Sequence, residues 1–364
     1  MININHNSIL QFPNTIQDVF IIILTLCTWF LAVVFTKKYQ FSRKTYLFIG
    51  IINMVTIAIF LTKNLAVFFT LIILNLMIII AAAPKNSGSR KIMLIYAAVA
   101  KLVLIFLLLF TGCLNGTLIF YILLIPFLGL FPFQTWYISL FEKFPFGIIA
   151  SVIAFQGMTI FTGESLLKAN EIATLQWALA LVSLISSILA ILQNQTKRLL
   201  AYIISSQLGF LAFSHLTNSG ATSLGSVYLI LSLLGATTAF IMMISALEMR
   251  KTDLSLLKPN GCYESYPKLA LWLLIFGLIS TGLPLSVGYI AEDLIFESGF
   301  EVAPVIDFMW LISIAINTIL IVKIFLFLCQ GTAKKENDLD LRKKEIWSIN
   351  LVFLIIILAT IALT

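Results

Sequence analysis

Long apolar stretches alternate with short polar ones along the whole chain. The apolar segments fall at 16–36, 45–61, 65–83, 92–111, 117–131, 147–163, 173–193, 199–216, 223–247, 269–283, 308–329 and 346–364, each close to the ~20 residues that carry an α-helix across a hydrocarbon core. None shows the apolar/polar alternation of a membrane-barrel strand. A backbone in lipid has to satisfy its own hydrogen bonds, so the pattern predicts an all-α, polytopic transmembrane helix bundle of about 12 spans. The longest polar stretches, 248–268 and 330–345, are loop-sized. Residues 1–364 therefore read as one transmembrane domain, with N-terminal helices over 16–111, a core over 117–329 and a C-terminal helix over 346–364.

Composition agrees. At 60% hydrophobic and 11% charged residues, with a mean hydropathy of +1.06, the chain has too little polar surface to cover a water-exposed shell. The net charge of +7 does not point to nucleic acid, because the basic residues sort by loop. Lys37, Lys38, Arg43 and Lys44; Lys85, Arg90 and Lys91; Lys197 and Arg198; Arg250, Lys251, Lys258 and Lys268; and Lys334, Lys335, Arg342, Lys343 and Lys344 fall on alternate loops. Glu297, Glu301 and Asp307 mark the opposite, acidic side. Basic loops face the compartment of synthesis, which puts both termini on the other side when the span number is even. Met1–Ser8 lacks both the charged start of a signal peptide and the Arg-rich character of a presequence. The 30 phenylalanines fit an AT-rich organellar gene.

Cys27, Cys113, Cys262 and Cys329 are dispersed, and only His6 and His215 add imidazole, so no metal site or disulfide framework is expected. No glycine-rich dinucleotide fingerprint occurs either. The chain is expected to bind no cofactor.

Pro and Gly interrupt two spanning segments. The first interruption runs from Ile125 through Pro126, Gly129, Pro132, Phe133, Gln134 and Trp136 to Pro145; the second contains Gly282, Pro284 and Gly288 and is followed by Glu292 and Asp293. Such breaks free backbone groups that protein or water has to satisfy, and paired broken helices are a pointer to inverted repeats and an ion pathway. The competing reading is that Pro and Gly are simply common in membrane helices.

Three motifs lie in order over 125–299: Pro132-Phe133-Gln134-Thr135-Trp136, then Lys197-Arg198-Leu199-Leu200-Ala201-Tyr202 with Ser206 and Gln207, then Gly282-Leu283-Pro284 with Gly288-Tyr289-Ile290-Ala291-Glu292. Together they resemble the antiporter-like membrane subunits of proton-pumping NADH:quinone oxidoreductase, complex I. The first looks like that family's Pro-Phe-His-x-Trp, with Gln134 in place of His. The short N-terminal part and Phe155-Gln156 are similar to the subunit 2 branch of mitochondrial NADH dehydrogenase, more than to subunits 4 or 5. The resemblance implies a proton path coupled to electron transfer elsewhere, with NADH, FMN, iron–sulfur clusters and ubiquinone held by other subunits. It also implies other membrane-arm subunits and lipids as partners, no nucleic acid, and a mitochondrial inner-membrane location with basic loops in the matrix and termini on the intermembrane-space side.

The same alignment puts Asn75, Phe127 and Gly157 (or Met158) where the family carries a glutamate and two lysines, so three titratable positions look empty. Only Glu292 keeps a charge at its family position. Candidate path residues are then Lys101, Gln156, Lys197, Ser206, Gln207, Glu292 and Lys323. Lys101 and Lys323 interrupt apolar helices, where an unpaired charge costs roughly 2.5–3.5 kcal/mol; each either faces the bundle or snorkels to the interface. Glu292 and Asp293 are adjacent carboxylates whose joint ionisation is opposed by repulsion, with Asp293 the more solvated. Lys197 and Arg198 read as positive-inside anchors that also line a path entrance. Ser205, Ser206, Gln207, Gln134 and Gln156 hydrogen-bond either water or neighbouring helices. His215 reads as structural, and the Lys334–Glu345 run as a solvated loop. Two further functions stay open beside the complex I reading: a stand-alone cation/proton antiporter, which should retain a buried titratable cluster, and a structural membrane subunit without transport. In the complex I reading the subunit's own half-channel is impaired, or rerouted through Lys101.

Overall fold

The computed structural model describes residues 15–36, 43–83, 126, 129–167, 173–217, 220–250, 254–284, 286–300, 304–331 and 340–363. Among these the protein is a helix bundle with no extended strand, in which an isolated bridge joins Gln195 to Ser255. The helices are α1 (Ile16–Phe35), α2 (Arg43–Phe60), α3 (Leu65–Ala82), α4 (Gln134–Lys143), α5 (Phe146–Leu167), α6 (Ala173–Ile191), α7 (Thr196–Ser214), α8 (Gly220–Ser232), α9 (Thr238–Arg250), α10 (Cys262–Ser265), α11 (Pro267–Ser280), α12 (Val287–Phe300), α13 (Pro304–Cys329) and α14 (Lys343–Leu363). Among the described residues, 7 helices are long and apolar enough to cross a membrane. The expected span at 92–111, most of that at 117–131, and Lys101 and Phe127 lie outside the described residues.

Local chemistry sets the helix ends. Thr15 and Asp18 form a reciprocal capping box at the start of α1, and the Asn64 side chain accepts from Ala66 N at the start of α3, each meeting donors that a helix start leaves free. Pro267 opens α11, where a missing N–H costs nothing. The carboxylate of Asp340 accepts from Lys268 N (2.8 Å) and Leu269 N (3.2 Å), so the last loop caps the same helix.

Three differences from the sequence pattern have physical causes. Segment 223–247 is part of a longer rod, Ala221–Arg250, in which a π-helical turn at Leu233–Thr237 joins α8 to α9. Such turns cluster at functional sites. Segment 269–283 ends at Ser280, and a second helix, α12, follows it; its Glu292, Asp293 and Glu297 hid it from a hydropathy criterion. Finally, the acidic residues expected in solvated loops are partly inside. Asp307 belongs to the first turn of α13 and is 2% exposed. Glu345 starts α14, is 4% exposed and pairs with Arg250 at 2.6 Å.

Helix α7 packs against α4, α5, α6, α8 and α13, and most of its residues are buried. It is less apolar than the outer helices because its polar side chains find partners on every side, so the bundle interior is the place where it is stable.

Candidate functional site

The first break is built around Gly129, with φ 65°. A Cβ added there meets the Tyr137 ring base at 2.5 Å, so the close approach of α4 to the turn requires glycine. Trp136 Nε1 donates to Pro126 O at 2.9 Å, and Ser205 Oγ donates to Gly129 O at 3.0 Å. Gln134 Nε2 donates to Ser186 Oγ at 2.9 Å. Pro145 precedes α5, and its carbonyl accepts from Ile148 N and Ile149 N. The motif residues Pro126, Pro132, Gln134 and Trp136 thus end one helix and dock the next.

At the second break, Leu283 N returns to Leu278 O at 3.0 Å and Gly282 takes φ 76°, the left-handed C-terminal turn that favours glycine. Pro284 follows and stops the helix, and Ser286 Oγ caps α12 through Tyr289 N at 3.3 Å. Gly288 lies close to the Ile279 carbonyl, 3.1 Å from where its Cβ would be. Gln207 Nε2 donates to Ser280 O at 3.1 Å. Glu292 reaches back across the break: a Cβ on Gly282 would meet its carboxyl oxygens and lie 2.8 Å from its Cδ. No hydrogen bond to a described residue holds that carboxylate.

Three consecutive residues of α7 therefore join the two breaks. Successive helical residues point about 100° apart, which lets Ser205 satisfy the first break, Gln207 the second, and Ser206 a cluster between them. Ser206 Oγ lies 3.1 Å from Ser183 Oγ, 2.9 Å from Ser187 Oγ and 2.9 Å from Ser313 Oγ, and accepts from Asn317 Nδ2 at 3.2 Å. Ser187 and Ser313 are 2.6 Å apart. Ser183 Oγ donates to Ser206 O at 2.7 Å, and Asn317 Nδ2 can only donate. The Ser187, Ser206 and Ser313 hydroxyls can each donate or accept by rotating, so hydrogen-bond direction can reverse within that triangle without moving an atom heavier than hydrogen. Beside it a small cavity of about 30 Å³ is lined by Gln207, Ser232, Thr237, Thr281, Glu292 and Asn317 among others. Ser232 and Thr237 flank the π turn.

The remaining candidates lie elsewhere. Lys197 pairs with Glu248 at 2.5 Å and lies over the Phe146 ring at 4.9 Å, and Arg198 pairs with Glu142, so both are tied to neighbouring helices. Lys323 is half-buried on α13 but does not line the cavity; it lies about 120° round the helix from Asn317. Gln156 is buried within α5. His215 packs edge-on against Phe161 at 5.5 Å. Gly157 faces the π turn, its absent Cβ 3.2 Å from Leu233 Cδ2. Asn75 is fully buried, donates weakly to Ile52 O at 3.5 Å, and leaves Oδ1 without a described partner. Among the described residues no group of three or more His, Cys, Asp or Glu side chains could hold a metal. The sequence reading missed Ser183, Ser187, Ser313 and Asn317. Their signal is a hydroxyl or amide every three or four residues on otherwise apolar helices, aligned on one face.

The family described as NADH:quinone oxidoreductase/Mrp antiporter, TM, matches residues 112–321, more than half of the chain and both breaks. The chain belongs to this family. NADH-quinone oxidoreductase subunit N of Deinococcus radiodurans is 28% identical over 183 residues, 48% of this chain and 37% of that protein. NAD(P)H-quinone oxidoreductase subunit 2 of Gloeothece citriformis is 29% identical over 179 residues, 47% of this chain and 35% of that protein. Each match thus spans well under half the length of the relative. A chain of respiratory complex I from Thermus thermophilus with bound NADH superposes with a TM-score of 0.81 at 17% identity, over 95% of this chain and 80% of that one. That likeness establishes the antiporter-type membrane fold.

Proposed function

We propose that this antiporter-family chain is a membrane-arm subunit of a proton-translocating NADH:quinone oxidoreductase, of the subunit 2 type, in the mitochondrial inner membrane with its basic loops facing the matrix. It does no redox chemistry itself. NADH, FMN, iron–sulfur clusters and ubiquinone belong to other subunits, and other membrane-arm subunits and lipid surround it. The observation that carries the reading is the Glu292 carboxylate, which lines a cavity against the second break, with Ser206, Ser313 and Asn317 of the hydroxyl cluster on the same cavity's wall. A broken helix beside a titratable group is how an ion path crosses a bilayer. The match to a relative named subunit 2 supports the branch assignment.

In this reading Glu292 takes up and releases a proton as hydration and nearby charge change. Ser206, Ser313 and Asn317 carry the hydrogen-bond chain, and Gln207 holds the break open. Replacing Glu292 by Gln keeps the shape and removes the titrating oxygen. The expected result in the purified complex in liposomes is a lower proton yield per NADH oxidised, with uncoupled NADH oxidation retained. An unchanged yield refutes the role.

The input half of the path is proposed to be impaired. Asn75 and Gly157 are neutral, and Leu233 and Ile230 occupy the space beside Gly157. A lysine restored at Gly157 has to displace Leu233 from the π turn, at about 1–3 kcal/mol for overpacking, and adds roughly 2.5–3.5 kcal/mol for a buried charge. Gly157→Lys is therefore expected to lower the amount of assembled complex on a blue-native gel. Normal assembly with a raised proton yield would instead show a path that lacks only its lysine.

A further inference from the structure

We propose that Asp307 is a second proton carrier, placed between the Glu292 cavity and the membrane face on which α13 begins, and that water bridges it to the cavity past Trp310. The inference rests on the proton-path reading above and extends it toward the acidic side.

Asp307, Trp310, Ser313 and Asn317 succeed one another at helical spacing along one face of α13. Trp310, Ser313 and Asn317 line the Glu292 cavity, and Asp307 lies one turn beyond it. Asp307 is 2% exposed and Trp310 1%. Among the described residues, neither carboxylate oxygen of Asp307 has a hydrogen-bond partner, nor does Trp310 Nε1, nor Asn317 Oδ1. Buried polar groups are met by a protein group or by water. A water accepting from Trp310 Nε1 and donating to one Asp307 oxygen would give each residue a partner, and two partners are the least a buried water needs. A helix-capping role would explain an acidic residue in a first turn, but a cap accepts from backbone N–H groups and this carboxylate accepts from none. A structural role alone is served better by an apolar side chain, because an unpaired buried carboxylate is costly.

The placement suits a relay. Asp307 lies roughly 15 Å along α13 from Asn317, about half the ~30 Å hydrocarbon core. Trp310 packs with tilted rings against Phe210 (4.9 Å) and Phe213 (5.3 Å), at the wall of the cavity nearest Asp307. In one cycle the Glu292 carboxyl gives up its proton to water in the cavity. The Ser313 hydroxyl accepts that proton and releases another to the Trp310-bound water, which passes one of its own to the Asp307 carboxylate. Asp307 then releases a proton to the aqueous phase on its side, and the Glu292 carboxylate takes one up from the opposite side of the path, so both carboxyl groups return to their starting forms. Only O–H bonds are broken and made, and no electron moves.

The test compares Asp307→Asn with Glu292→Gln in the intact complex in liposomes, reading protons moved per NADH and uncoupled NADH oxidation. The expected result is that Asp307→Asn lowers the proton yield to the Glu292→Gln value while uncoupled oxidation stays at the wild-type rate. Full yield in Asp307→Asn with a lowered yield in Glu292→Gln overturns this inference and leaves the Glu292 reading standing; full yield in both removes both. If Asp307→Asn does not assemble, the wild-type complex decides. Dicyclohexylcarbodiimide modifies protonated carboxyls in apolar sites, so peptide mass spectrometry should find Asp307 modified as the proton yield falls. An unmodified Asp307 at a dose that modifies Glu292 overturns the proposal.

Discussion

Gly282→Ala is expected to cost the subunit its proton transfer as completely as removing the Glu292 carboxyl does. Two effects act together at this position. The backbone has φ 76°, where an L-residue is disfavoured by roughly 1–2 kcal/mol. The new Cβ also falls on the carboxyl oxygens of Glu292 and 2.8 Å from its Cδ. The carboxyl can swing away more cheaply than the backbone can move, so the fold is retained and the cost appears as function. The Glu292 carboxyl leaves the break and its place on the cavity wall that it shares with the hydroxyl cluster. Proton yield per NADH should fall to the Glu292→Gln value, with near-normal assembly on a blue-native gel. A wild-type yield in Gly282→Ala would mean that the position of the Glu292 carboxyl does not matter, and the site as described would be wrong.

The largest expected effect on stability lies at the other end of the bundle. Arg250 at the end of α9 and Glu345 at the start of α14 pair at 2.6 Å, with side chains 8% and 6% exposed. Glu345 Oε2 also accepts from Arg342 N at 2.9 Å, and Arg250 Nη1 donates to Ala246 O at 3.0 Å. Removing one partner leaves the other buried without this ion pair, a change worth up to about 3–5 kcal/mol in such settings. Arg250→Met or Glu345→Leu alone should therefore lower the thermal stability of the solubilised complex and the amount of subunit recovered. The double variant should recover most of the loss, because replacing both charges by apolar groups is often neutral. A single variant as stable as wild type would show that the pair contributes only a surface-type interaction.

The two breaks were legible in the amino-acid order because Gly and Pro punctuate helices by local geometry, and Glu292 was legible because it follows the second break within a motif. Ser206 and Gln207 were marked out as polar residues in an apolar helix, but not their separate tasks: Gln207 satisfies a backbone carbonyl, while Ser206 is the hub of a hydroxyl cluster. Lys323 drew notice as a charge in an apolar helix, yet its face of α13 is not the cavity face. Asp307 was placed with the loops because an acidic residue near a helix start ordinarily meets water. Its burial depends on what packs over the start of α13, and no pattern local to that helix contains that information.

Bundle class follows from the sequence alone, since bilayer thickness and the backbone's need for internal hydrogen bonds act on each segment separately. The two Pro/Gly breaks follow as well, for equally local reasons, whereas the length of the Ala221–Arg250 rod and the presence of α12 did not. Which hydroxyls meet across helices, why Leu233 fills the space beside Gly157, and how Glu292 comes to lie against Gly282 were decided only by tertiary packing. Those outcomes depend on contacts between residues up to 126 positions apart, as for Ser187 and Ser313, and a one-dimensional pattern records the partners' chemistry without recording which of them meet.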